Sequence, residues 1–305
     1  MRPQSVFALL PALAQGIRII QSNDDGWAEL YVRSFHDFLL AAGHDVVLSA
    51  PAENKSGTSS LDIEPFPRNS ACQYNSCPPN SRSPIGRNDT SPRLNWVNSF
   101  PVTSMRYGID TIGPQHWNGA APELAVSGPN VGSNLWLSVP FSGTVGTAVY
   151  ASKQAGIPAI AFSGASGGTL AWNTNPVPLR STVYAELAGI LVDKVVQAGK
   201  PYLPQDVWLN VNFPDVKEAE GKCVDVEQFK WVLSRINPAG ILSGKDVSTC
   251  GADRLPTETD VVNEEDGGGC FISVSVGDSN DKTTASKEKQ KVVLDKLAGL
   301  LTCLP

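Results

Sequence analysis

The chain has 305 residues, 41% of them hydrophobic and 18% charged, with a formal net charge of −6. That length and balance suit one large globular α/β unit with an appendage and a substantial core. The acidic total, with no basic footprint, excludes general nucleic-acid binding but leaves room for a small phosphorylated ligand at one local site.

Residues 1–14 read as an export signal: Arg2 is a short basic region, Val6 to Leu13 is mostly apolar, and Ala12 to Ala14 offer small residues for cleavage. A buried first strand or helix is the alternative. No later run approaches the roughly 20 apolar residues of a membrane span, so no membrane partner is expected. The apolar run Ile17–Ile20 then ends in Asn23-Asp24-Asp25-Gly26. Strand ends are where open α/β sheets bind ligands. Burying two adjacent aspartates requires a cation or a proton, which points to a divalent metal. The same tetrapeptide also reads as a plain turn. An EF-hand does not fit, because with Gly26 at the glycine position Val32 stands where the bidentate glutamate belongs.

Tyr31, Phe35, Phe38, Leu39 and Ala42 recur at helical spacing, Gly43 stops that helix, and His44 to Ser49 form a second strand. This βαβ unit places residues 23–26 and the hydroxyl-rich loop 50–60, with Ser56, at one sheet edge. Residues 65–120 are dense in Pro, Asn, Ser and Arg and predict an irregular excursion, with a strand near Val102–Tyr107. Such a segment either shapes a substrate entrance or decorates the surface. Strands follow at Glu123–Ser127, Ile157–Ser163 and Val207–Asn212. Helices follow from Ser142 to Ala155, with Ser142 as N-cap, and from Arg180 to Gln197. The class is therefore α/β with a mainly parallel sheet. Phe229–Leu233 and Phe271–Val276 suggest an antiparallel C-terminal arm or subdomain, and Lys287–Leu301 a terminal amphipathic helix.

Six cysteines (Cys72, Cys77, Cys223, Cys250, Cys270, Cys303) suit an oxidising compartment, and Cys72 and Cys77 are close enough to pair locally. Asn54-Lys55-Ser56 and Asn88-Asp89-Thr90 are glycosylation sequons at Asn54 and Asn88. Asp24, Asp25, Ser56, Asn130, Asn134, Ser142 and Thr144 offer oxygen ligands from four strand-end loops, a set that suits Mg²⁺, Mn²⁺ or Ca²⁺. Ser142-Gly143-Thr144 is either an anion site at a helix start or a simple cap. Gly164-Ala165-Ser166-Gly167-Gly168 matches a serine-hydrolase elbow, but no histidine follows His116 to complete a triad.

In order, Ser22–Gly26, Ala50-Pro51 with Lys55-Ser56-Gly57, Ser127–Asn134, Ser142–Val145, Gly156–Ala161 and Leu209–Pro214 resemble the survival-protein-E (SurE) family of metal-dependent phosphatases and nucleotidases, in its secreted fungal acid-phosphatase-like form. The resemblance implies a Rossmann-like domain over 15–215 and a C-terminal extension over 216–305 that often exchanges between subunits, hence a homodimer. It implies one divalent cation, Mg²⁺ or Mn²⁺ (Ca²⁺ in a crystal), on Asp24, Asp25, Ser56 and Asn130. Asn134, Ser142, Gly143 and Thr144 would then hold the phosphate, and Asp24 or Asp25 would act on the attacking water. The implied enzyme is a secreted phosphomonoesterase for nucleotides or small phosphate esters. Alternatives are a phosphodiesterase-like hydrolase and a metal- and phosphate-binding protein without turnover. Trp27-Ala28-Glu29 replaces the family's Ala-Pro-Gly, and its Gly-Thr-Pro-Ala-Asp segment has only Tyr107–Asp110 as a counterpart. These departures direct attention to the leaving-group side.

Overall fold

Ile19 and Ile20 face opposite sides of β1 (Arg18–Ser22), and both are fully buried. A strand apolar on both faces needs helices on both. The computed structural model describes residues 16–241 and 243–305, so the expected export signal lies outside them. Beside α1 (Leu30–Ala41), the 19-residue α5 (Leu179–Gln197) covers one face, and their apolar sides meet Ile19, Phe162 and Val211. On the other face α4 (Gly143–Lys153) packs with α2 (Pro101–Tyr107) over Ile20, Val47 and Ala161.

The remaining strands are β2 (Asp45–Pro51), β3 (Ile85–Arg87), β4 (Leu94–Val97), β5 (Leu124–Val131), β6 (Ala159–Gly164), β7 (Val207–Asn212), β8 (Lys230–Ser234), β9 (Phe271–Asp278) and β10 (Leu301–Thr302). They form one sheet in the order β10-β8-β9-β7-β6-β5-β1-β2-β4-β3. The pairings from β7 through β1 to β4 are parallel, and only β7–β9 and β3–β4 are antiparallel. The chain runs outward from β1 through β2, then returns to β1's other side with β5. That reversal opens a crevice at the carboxyl ends of β1 and β5, the usual ligand position in such sheets.

Four details differ from the sequence pattern. Val102–Tyr107, expected as a strand, is helix α2: Pro101 sits at its first position, where a missing N–H costs nothing, and Val102 and Met105, at helical spacing, are both buried. Residues 65–120 also supply β3 and β4 to the sheet edge and the short α3 (Gly113–His116). The late strands belong to the main sheet, and β8 runs parallel to β9. The terminal helix, α7 (Lys287–Lys296), stops early, and Leu301–Thr302 lie along β8 as β10, next to the Cys250–Cys303 disulfide. Cys72 pairs with Cys77 as the sequence suggests, and Cys223 with Cys270.

Candidate active site

The turn after β1 is built by Asn23, whose Oδ1 accepts the Gly26 N–H at 3.2 Å. Gly26 has φ +104°, and a Cβ there would lie 1.9 Å from Gln73 Oε1, so only glycine fits. The turn leaves Asp24 and Asp25 1% and 2% exposed in the crevice. Burial pushes both carboxyls up, Asp25 to about 7 with the Asp24 charge adding to it.

Each of the other three loops reaches these carboxylates. From the loop after β2, Lys55 N–H donates to the Asp24 carbonyl at 2.7 Å, and Asn54 Nδ2 donates to Asp25 Oδ1 at 3.0 Å. Asn54 Oδ1 accepts the Ser56 N–H at 2.8 Å, so one side chain ties Asp25 to Ser56, whose own side chain stays exposed. At the end of β5, Val131 N–H donates to Asp25 Oδ2 at 2.8 Å. From the start of α4, Gly143 N–H (3.1 Å) and Thr144 Oγ1 (2.6 Å) donate to the two oxygens of Asp24. The Ser142 hydroxyl accepts the Val145 N–H and caps that helix. The anion at this helix start is thus the protein's own Asp24 carboxylate. A Cβ on Gly143 would fall 2.8 Å from Asp24 Cβ, which explains a glycine at that helix position.

Asn130 is the informative neighbour. Its Nδ2 donates to the Gly132 carbonyl at 2.6 Å, which fixes the amide orientation. Its Oδ1 is then a buried acceptor with no hydrogen-bond partner. A buried oxygen of that kind calls for an explanation. Beside two buried carboxylates with raised pKa, a hard cation supplies one, and carboxylate, amide and hydroxyl oxygens are the donors such an ion prefers. Among the described residues no cluster of three or more His, Cys, Asp or Glu offers a softer site.

Asn134 lies at the same rim. Its Nδ2 donates to Ser163 Oγ at 2.7 Å, and its backbone is held by Asn210 and Asn212 of β7. Several contributors escape a reading by sequence. Asn54 was visible only as a sequon. Glu258, in the short helix α6 (Glu258–Val262), accepts from Asn210 Nδ2 and from Trp136 N–H across 122 positions. Lys282, between β9 and α7, brings its ammonium within 3.3 Å of Ser59 Oγ and 3.4 Å of the Pro140 carbonyl. Burial alone, with no carboxylate to offset it, lowers its pKa. Trp27, expected on the leaving-group side, is instead 1% exposed and packed with Trp96 and the Cys72–Cys77 bridge, while Glu29 caps α1.

The profile of the family described as "Survival protein SurE" matches residues 19–233. The chain belongs to the SurE family. It is similar to an acid phosphatase of Yarrowia lipolytica, 32% identical over 289 residues that cover 85% of this chain and 78% of that one. It is also similar to a 5'-nucleotidase SurE of Gloeobacter violaceus, 30% identical and covering 67% of this chain and 66% of the other. The crystal structure of the SurE protein from Aquifex aeolicus has the same fold: TM-score 0.56 at 21% identity, covering 91% and 98% of the two chains. This SurE-family chain is a hydrolase of the phosphatase and nucleotidase kind, and the family is divalent-metal-dependent. None of the described helices is long and apolar enough to cross a membrane, and the three disulfides are consistent with secretion.

Proposed function

We propose that the chain is a secreted phosphomonoesterase of acid-phosphatase or nucleotidase type, holding one divalent cation, Mg²⁺ or Mn²⁺, on Asp24, Asp25, Ser56 and Asn130. The observation that carries this reading is the unpartnered, buried Asn130 Oδ1 beside two buried carboxylates. When bound, the cation supplies Lewis acidity toward a phosphoryl oxygen and lowers the pKa of water.

The protein's own groups set the rest. Gly143 N–H and Thr144 Oγ1 fix Asp24 and favour its ionised form, leaving it to orient or deprotonate the attacking water. Asn54 and Val131 N–H do the same for Asp25. Asn134 Nδ2 now donates to a neutral hydroxyl, and a phosphate oxygen competes well for it, because bonds to charged acceptors are about twice as strong. Ser142 acts by capping α4, and Lys282 brings positive charge to the rim of an acidic protein.

The test measures phosphate release from nucleoside monophosphates, simple monoesters and a diester, with Mg²⁺, Mn²⁺ or a chelator. We expect monoester hydrolysis that the chelator stops. Asp24→Asn and Asp25→Asn should each lose more than the roughly 10–100-fold typical of an outer partner. Full chelator-sensitive activity in both variants would sink the mechanism, and turnover of the diester alone would favour the phosphodiesterase reading.

A further inference from the structure

We infer that Glu258 is a positioning residue for phosphate binding: through Asn210 and the Trp136 N–H it sets where the Asn134 amide points. This rests on the phosphomonoesterase reading, in which Asn134 holds a phosphate oxygen. Glu258 lies beyond residue 233, where the family match ends. It is 0% exposed, and a buried carboxyl is costly unless its oxygens are used. Both are. Oε1 accepts the Trp136 N–H at 2.6 Å, and Oε2 accepts Asn210 Nδ2 at 2.9 Å. The same Asn210 nitrogen donates to the Asn134 carbonyl at 2.8 Å, so its two hydrogens bridge Glu258 to Asn134. Asn212 completes the hold: its Oδ1 accepts the Asn134 N–H at 2.8 Å, and its Nδ2 reaches the Asn134 carbonyl at 3.2 Å.

Trp136, two residues on, has φ +31°, a region that bulky residues occupy only where surrounding structure imposes it. Its bond to Glu258 is a restraint of that kind. The turn 136–141 then leads through Ser142 to Gly143 and Thr144, the donors to Asp24. Glu258 thus grips the start of a segment with the phosphate amide at one end and the Asp24 donors at the other. It acts from a fixed base: its own N–H donates to the Arg235 carbonyl at 2.9 Å, and Arg235 is paired at 2.6 Å with Asp246, both side chains buried. Apolar side chains of similar size replace buried ionic groups with little loss of stability, so stability alone does not explain a carboxyl here.

The test is a double-mutant cycle, read both as inorganic phosphate affinity by calorimetry of the Mg²⁺-loaded protein and as kcat/KM for phenyl phosphate. Glu258→Gln keeps the size of the side chain but offers a single acceptor oxygen, so either Trp136 or Asn210 loses its partner. It should lower phosphate affinity and kcat/KM roughly 10–100-fold while Mg²⁺ affinity stays unchanged. In an Asn134→Ala background the same substitution should change either quantity less than about twofold, because the amide it positions is gone. Asn210→Ala, which cuts only the branch to Asn134, should show the same coupling and carries the cycle if Glu258→Gln does not fold. Unchanged phosphate affinity and kcat/KM in a folded variant, an equal loss in both backgrounds, or a matching fall in Mg²⁺ affinity overturns the positioning role. If wild type binds phosphate with this coupling but hydrolyses no monoester, the phosphomonoesterase reading fails and the positioning role stands. A wild type that neither binds phosphate nor hydrolyses the ester overturns both.

Discussion

Asn54 shows how much a single amide can decide. Its Nδ2 is the side-chain donor to Asp25 Oδ1, and its Oδ1 receives the Ser56 N–H. Asn54→Ala should therefore weaken divalent-metal binding roughly 10–100-fold, as losses of such outer partners do, measured by calorimetric titration of the purified protein. The same nitrogen is the atom to which an N-glycan would be joined. Peptide mass spectrometry of secreted material should accordingly find sugar at Asn88 and none at Asn54. At Asn88 only Oδ1 is engaged, by Thr90 and Ser91. A glycan on Asn54 in the active fraction would refute the assignment. Gly143 gives a second test at this scale. Gly143→Ala would push a methyl group against Asp24 Cβ at 2.8 Å and Pro101 Cγ at 2.9 Å. Overpacking of this kind costs about 1–3 kcal/mol, and we expect that loss in chemical denaturation together with a fall in kcat as Asp24 is displaced.

Among the elements, α6 matters more than its five residues suggest, because it carries Glu258 into the site's supporting network. Burial, opposed by its hydrogen bonds, pushes the Glu258 carboxyl up to about 8. A carboxyl raised on folding contributes stability that is complete below its unfolded value near 4.5 and is lost as pH rises through 8. Wild type should thus lose thermal stability between pH 5 and 8, and Glu258→Gln should flatten part of that slope. The remainder falls to Glu29, raised to about 8, and to Asp24 and Asp25, which burial raises in the same direction. Parallel curves for the two proteins would rule out this source. The same helix marks the limit of a reading by sequence. β1, β2, β5 and the Ser142 cap were legible because each is written in a few adjacent residues. Asp24's partners at Gly143 and Thr144, by contrast, lie 119 and 120 positions away, and Glu258 meets Trp136 across 122. In α2 the helical spacing of Val102 and Met105 was present, but the surrounding Pro, Ser and Asn masked it.

The C-terminal third is joined to the site by backbone pairing and by covalent bonds. β9 lies antiparallel to β7, the strand that supplies Asn210 and Asn212, and Cys223–Cys270 clamps the start of β9 to the segment following β7. Cys250–Cys303 closes a separation of 53 residues that contains α6, β9 and α7. In the chain-entropy account a loop of that length is worth about 4 kcal/mol, against about 2 kcal/mol for the five-residue separation of Cys72–Cys77. Paired Cys→Ser substitutions at 250 and 303 should therefore lower the unfolding free energy more than the pair at 72 and 77. They differ in kind as well. The 250–303 bridge lies far along the chain from Asp24 but encloses Glu258, so its loss should make activity heat-sensitive while leaving metal affinity at low temperature near normal. The 72–77 bridge packs on Trp27 beneath the Asp24–Asp25 turn, so its loss should weaken metal binding even in protein that remains folded. Denaturant titration and metal calorimetry on both double variants separate these outcomes. A reversed pattern, with metal affinity failing first in the 250–303 variant, would place the C-terminal segment in direct control of the cation site.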